Sequence, residues 1–213
     1  MEKFFTINSV DHLGLVLPED AILSRLGRNR YLSVMEQELS VKLHLAMQKS
    51  FALSHARGRW KLLSITARSS DEVVLNDVWK IKSRKFAEFA QTADHLYLSA
   101  ATIGKELPQA VEQAQSAGNM FEAAVFDAVG SECADLAIEL LQKIAAAELL
   151  RSGLVLSKQR FSVGYGGVEL FHQQEIFKEL ELEHIGMSLT TSFIMQPEKS
   201  VTAFALVNKI KQI

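Results

Sequence analysis

Apolar side chains recur at helical spacing along much of the chain, with short β-branched and aromatic runs between them. Val34, Met35, Leu39, Leu43, Ala46, Met47 and Phe51 mark one stripe, predicting a helix over residues 32–56 with a single buried face. Before it, residues 6–17 alternate weakly as a short strand or extended arm. Pro18-Glu19-Asp20 then opens a short helix that Gly27 closes. Residues 60–67 and 72–81 predict two strands separated by the turn Arg68-Ser69-Ser70-Asp71. Ser83 is placed to cap a helix over 84–92. The unbroken apolar run from His95 to Gly104 has the character of a buried central strand.

The longest helical pattern follows. One helix is predicted over 105–116 and a second over 120–151, with Phe121, Val125, Val129, Ala137, Leu141 and Ile144 inward. Gly130-Ser131 interrupts that second helix. A glycine there costs about 1 kcal/mol against alanine, and the small pair suits close approach of another backbone. After the short apolar run Leu154-Val155-Leu156, an amphipathic helix is predicted over 168–182. Residues 187–195 and 201–207 then read as the two arms of a hairpin joined by Gln196-Pro197-Glu198-Lys199-Ser200. Strands and helices mix without strict alternation, so the class is α+β, with long helices packed on an antiparallel sheet.

Composition narrows the function classes. The chain has 213 residues, long enough to bury a sizeable core, and its 48% hydrophobic content is ordinary for a soluble protein. A net charge of −2 offers no basic face to nucleic acid. The lone cysteine, Cys133, excludes an internal disulfide framework and a thiolate metal cluster. No apolar run is long enough for a membrane span, and the first residues do not resemble a signal peptide, so a cytoplasmic protein is expected. Six histidines are scattered singly, which argues against a metal site. Glycine-rich dinucleotide and phosphate-loop fingerprints are absent, as are the serine-hydrolase elbow and the zinc-protease helix.

One stretch concentrates candidate chemistry: Arg160-Phe161-Ser162-Val163-Gly164-Tyr165-Gly166-Gly167. Arginine offers a planar fork suited to carboxylate or phosphate, and glycines let a backbone come close to a ligand. The stretch is either a small anion-binding loop or a strand ending in a tight turn. Asp135 and Glu139, four residues apart, share a face of the preceding long helix.

Those residues resemble a family. Arg160-x-x-x-Gly164-Tyr165 is similar to the Arg-x-x-x-Gly-Tyr motif of the reactivation domain of cobalamin-dependent methionine synthase. Three further stretches fit in order: Ala100-Ala101-Thr102-Ile103-Gly104, Asp127-Ala128-Val129-Gly130-Ser131 with Asp135, and residues 185–201. The similarity is best over residues 95–207. It implies a C-shaped single α+β domain with a twisted antiparallel sheet flanked by long helices. Residues 1–56 would form an N-terminal helical arm and 57–213 the sheet-and-helix core.

The resemblance also implies S-adenosylmethionine binding and a role in reductive methylation of cob(II)alamin, with an electron from a flavodoxin-type donor. Arg160 would hold the methionine carboxylate, Ser162 and Gly164 would contact the ligand through backbone, and Tyr165 would lie near the transferable methyl. Asp135 matches the place of a family glutamate and would meet the ammonium. It is one methylene shorter, so Glu139 or a water is the substitute. Gly166-Gly167 stands where the family continues Pro-x-Cys-Pro, and the family's N-terminal acid and later ligand tyrosine have no counterpart. No Asp-x-His-x-x-Gly motif is present, so cobalamin would come with a partner, either a methionine synthase core or another corrinoid protein.

Overall fold

The computed structural model describes residues 2–27 and 37–210. In chain order the strands are β1 (Asn8–Val10), β2 (Arg57–Arg68), β3 (Glu72–Leu75), β4 (Trp79–Lys82), β5 (His95–Thr102), β6 (Leu154–Phe161), β7 (Ser188–Leu189), β8 (Met195–Gln196) and β9 (Ser200–Lys209). The helices are α1 (Glu19–Arg25), α2 (Gln37–Phe51), α3 (Arg84–Ala90), α4 (Glu106–Ser116), α5 (Met120–Leu150) and α6 (Gln173–Leu180). A seven-stranded antiparallel sheet runs β4-β3-β2-β5-β9-β6, with β1 paired to β2.

β5 is central, and all but its first residue is buried, because helices cover both faces of the sheet. On one face Trp60, Leu62, Tyr97, Ala203 and Ala205 pack with α1, α2, α4 and α5. On the other, Leu63, Leu96, Leu98 and Phe204 pack with α3 and α6. The alternation along each strand separates these two cores. Phe4, Leu13 and Ile22 from the first residues belong to the first core.

Local chemistry sets the helix starts. The Ser83 hydroxyl accepts from the Phe86 N–H at α3. At α5, Asn119 accepts from the Glu122 N–H and donates to the Glu122 carboxylate, satisfying free groups of the first turn.

Several boundaries differ from the sequence expectation. The helix expected over 32–56 is observed from Gln37 to Phe51, and residues 32–36 lie outside the described residues. Its end comes early because the His55 N–H is drawn to the Ile103 carbonyl. Residues 72–81 form two strands, since Asn76 and Asp77 take positive φ and turn the chain between β3 and β4. The helix expected from 168 starts later: the Val168 N–H closes a turn onto the Tyr165 carbonyl, and α6 follows a short 3-10 turn.

The expected terminal hairpin is not formed. Both edges of β9 are taken, by β5 and β6, so residues 187–195 cannot join it. They fold on themselves through Thr190 and Phe193, leaving only the small β7–β8 ribbon. Gly130 is approached closely, but by side chains rather than by a second backbone. A Cβ there would lie 2.8 Å from the Leu107 Cδ2 and 3.2 Å from the Lys199 Cγ.

Candidate functional site

The sheet ends at β6, an edge strand that lies under α5. Leu154 and Leu156 turn toward the core, after which the pairing with β9 slips between Leu156 and Arg160. Three polar residues, Ser157, Lys158 and Gln159, occupy that irregularity. Such a bulge bends an edge strand and re-aims its side chains. Gln142 of α5 holds it in place. Its side chain is 7% exposed, its Nε2 donates to the Ser157 carbonyl at 2.6 Å, and its Oε1 accepts from the Arg160 Nη1 at 3.3 Å. Arg160 is thereby tethered to the helix although the residue as a whole is exposed.

Between the bulge and α5 lies a cavity of about 380 Å³. Arg160, Lys158 and Ser157 line it from the strand, and Glu139, Gln142, Lys143 and Ala146 from the helix. Glu139 and Lys143 are one turn apart and ion-paired at 2.6 Å. Lys143 holds the Glu139 carboxyl below its ordinary range, first by that hydrogen bond and then by its charge, with Arg160 adding a smaller pull. The cavity therefore presents a fixed guanidinium and a carboxylate on facing walls. That pair of charges suits an amino-acid zwitterion.

The loop after Arg160 leaves β6 and is tied to β9 and to the start of α3. The Ser162 hydroxyl donates to the Thr202 carbonyl at 3.2 Å, anchoring the loop to β9. The Gly164 N–H donates to the Val168 carbonyl at 2.9 Å, so it is spent within the turn. Gly166 has φ +59°, and a Cβ there would meet the Phe161 ring at 2.7 Å. Only glycine combines that backbone angle with that proximity. The Gly166 carbonyl accepts from the Ser83 Oγ at 2.7 Å, tying the loop to the start of α3. Tyr165 projects outward and is 74% exposed.

Asp135 lies elsewhere. It sits one turn before Glu139, its side chain 63% exposed, 3.7 Å from the Arg25 Nη2. Arg25 is held more tightly by Glu132 at 2.6 Å. The structure thus brings Arg160 and Glu139 to one cavity, places Ser162, Gly164 and Tyr165 in the loop that follows β6 and outside the cavity lining, and sets Asp135 outside as well, facing α1. Gln142 and Lys143 were not singled out from the sequence. Gln142 is a polar residue on the buried side of α5, beside Leu141 and Ala145, a departure from the apolar stripe that marks it in retrospect.

The other motif stretches meet at the far end of β9. The Lys199 Nζ pairs with Asp127 at 2.6 Å and donates to the Ser131 Oγ at 3.0 Å, and the Ser200 Oγ donates to the Thr102 Oγ1 at 2.9 Å. These bonds join β5, α5 and β9. Among the described residues no helix is long and apolar enough to cross a membrane, and no group of histidine, cysteine and acid residues is placed to hold a metal.

No family model and no curated protein matches this chain. Among solved structures, a crystal structure of the MetH reactivation domain bound to AdoHcy is similar to it with a TM-score of 0.67. The match covers 97% of this chain and 80% of that one, at 18% sequence identity. The fold is that of the MetH reactivation domain, a single domain of mixed helix and antiparallel sheet, which is the family the motifs resemble.

Proposed function

We propose that this chain binds S-adenosylmethionine through the cavity between β6 and α5. It presents the ligand to a cobalamin carried by a separate protein, supporting reductive methylation of the inactive corrinoid. One observation carries the reading: Arg160 and Glu139 face one cavity in a fold that has been solved with AdoHcy bound. In this reading Arg160 takes the ligand carboxylate in two-point contact, with Gln142 fixing its direction. Tyr165 stands exposed in the loop that follows Arg160, available to a partner that meets the ligand.

The partner's corrinoid, with an electron from a flavodoxin-type donor, supplies the methyl acceptor. This chain binds and orients and has no proton to transfer. The partner is a methionine synthase core or another corrinoid methyltransferase, and pull-down from the native host separates the two. Calorimetry with S-adenosylmethionine tests the ligand. Binding to the wild type and about 30-fold weaker binding to Arg160→Ala are expected, about 2 kcal/mol for a charge-assisted contact.

A second reading has an observation in its favour. The Gly164 N–H is occupied by Val168 and Asp135 is faced by Arg25, as in a binding module of this fold that has lost the ligand. Absent heats in the wild type, or equal heats in wild type and Arg160→Ala, favour that module.

A further inference from the structure

We infer that Glu139, rather than Asp135, receives the ammonium group of the ligand, and that it does so by exchanging its present partner, Lys143. The inference rests on the S-adenosylmethionine reading and concerns which acid completes it.

Position decides between the two acids. Glu139 lines the same cavity as Arg160, whereas Asp135 does not. On α5 Glu139 lies three residues before Gln142, the side chain that tethers Arg160, so Glu139 and the tether share a face. Asp135 is displaced by a further turn, about 6 Å along the axis. There its carboxylate answers Arg25, 3.7 Å away, in a cluster with Glu132.

Charge supports the same choice. Among the described residues Glu139 has a single cationic partner at contact distance, the Lys143 ammonium at 2.6 Å. That ammonium sits on a flexible stem, and both side chains are at least half exposed, at 67% for Lys143 and 50% for Glu139. A pair of this kind is weakly held and solvent-screened. Lys143 can swing into water while a ligand ammonium takes its place, so one cation replaces another and the carboxylate is never left unpaired. With Arg160 on the facing wall, the exchange fixes both ends of an α-amino-acid group. Asp135 would first have to leave Arg25, whose guanidinium Glu132 holds in place.

Calorimetry with two probes distinguishes the residues. S-adenosylmethionine carries the amino-acid tail, and 5′-methylthioadenosine lacks it. Glu139→Gln is expected to weaken S-adenosylmethionine about 10-fold and leave 5′-methylthioadenosine within about twofold. Asp135→Asn is expected to leave both within about twofold, and Lys143→Met to tighten S-adenosylmethionine about threefold by removing the competing cation. All three positions lie on an exposed helix face, and matching thermal midpoints establish that the variants are folded. If Asp135→Asn costs more than Glu139→Gln, or if Glu139→Gln is silent or weakens both probes alike, the assignment is overturned while the ligand reading stands. If the wild type binds no S-adenosylmethionine, both fall together.

Discussion

Replacing Gln142 by leucine removes the side chain that joins α5 to the β6 bulge. Its two hydrogen bonds differ in kind. The donation to the Ser157 carbonyl at 2.6 Å is short and partly buried, and its loss leaves a carbonyl facing an apolar side chain. The bond from Arg160 at 3.3 Å is longer and part-buried, and Arg160, an exposed residue, recovers water when it is broken. A typical net contribution of about 1 kcal/mol for each, with a leucine of similar bulk keeping the position filled, gives a loss of about 2 kcal/mol. For a chain of this size that is about 4–8 °C in thermal midpoint. The assay pairs thermal and urea unfolding with calorimetry for the proposed ligand. Stability falls in the first two, and affinity falls in the third because Arg160 loses its fixed direction. A midpoint within about 1 °C of the wild type, with unchanged affinity, would refute the claim that Gln142 organises the site.

Three other outcomes follow from single residues. Gly166→Ala forces a Cβ to within 2.7 Å of the Phe161 ring at φ +59°, and since Phe161 is wedged against Phe86 and Phe89 the expected loss is about 2 kcal/mol by urea unfolding. Tyr97 is fully buried, and its hydroxyl has no hydrogen-bond partner among the described residues: burial drives the phenol's pKa well up, while nearby Ser99, which donates to the Ala203 carbonyl, and the charge of Arg160 act the other way. Tyr97→Phe should therefore be neutral or stabilising by up to about 1 kcal/mol, and a loss larger than that in the same assay contradicts the assignment. The Nδ1 of buried His172 accepts from the Trp79 Nε1 at 3.1 Å, and burial lowers its pKa below 6.5, so the unfolded chain takes up the proton first. Stability is complete above about pH 6.5 and declines as pH falls toward the folded-state pKa; His172→Gln should flatten that acid limb, leaving the part due to His95, which burial shifts the same way.

Features governed by neighbours in the chain were legible from the sequence. The central strand was legible as an unbroken apolar run, expected over 95–104 and observed over His95–Thr102, the long α5 by its hydrophobic period, and the α3 start by the Ser83 cap. The Arg160 motif and its companions pointed to a fold that the solved domain shares, although the chain is only 18% identical to it. What depended on partners distant in the chain was not legible. The sequence from 187 to 207 has the pattern of a hairpin, yet β9 is claimed on both sides by β5 and β6, and strand propensity alone does not say which edge is free.

The acid facing Arg160 was likewise undecided along the chain. Asp135 and Glu139 share a helix face, and the motif favours Asp135. The choice came from how far along α5 the β6 bulge sits, and from Arg25 of α1 arriving beside Asp135. The sequence by itself determined the helices, the central strand and the presence of a fixed cation beside a glycine turn, because periodicity, caps and backbone freedom act within a few residues. Only the tertiary structure decided which charges share the cavity, because a side chain's partner is set by the register and packing of elements brought together from elsewhere in the chain.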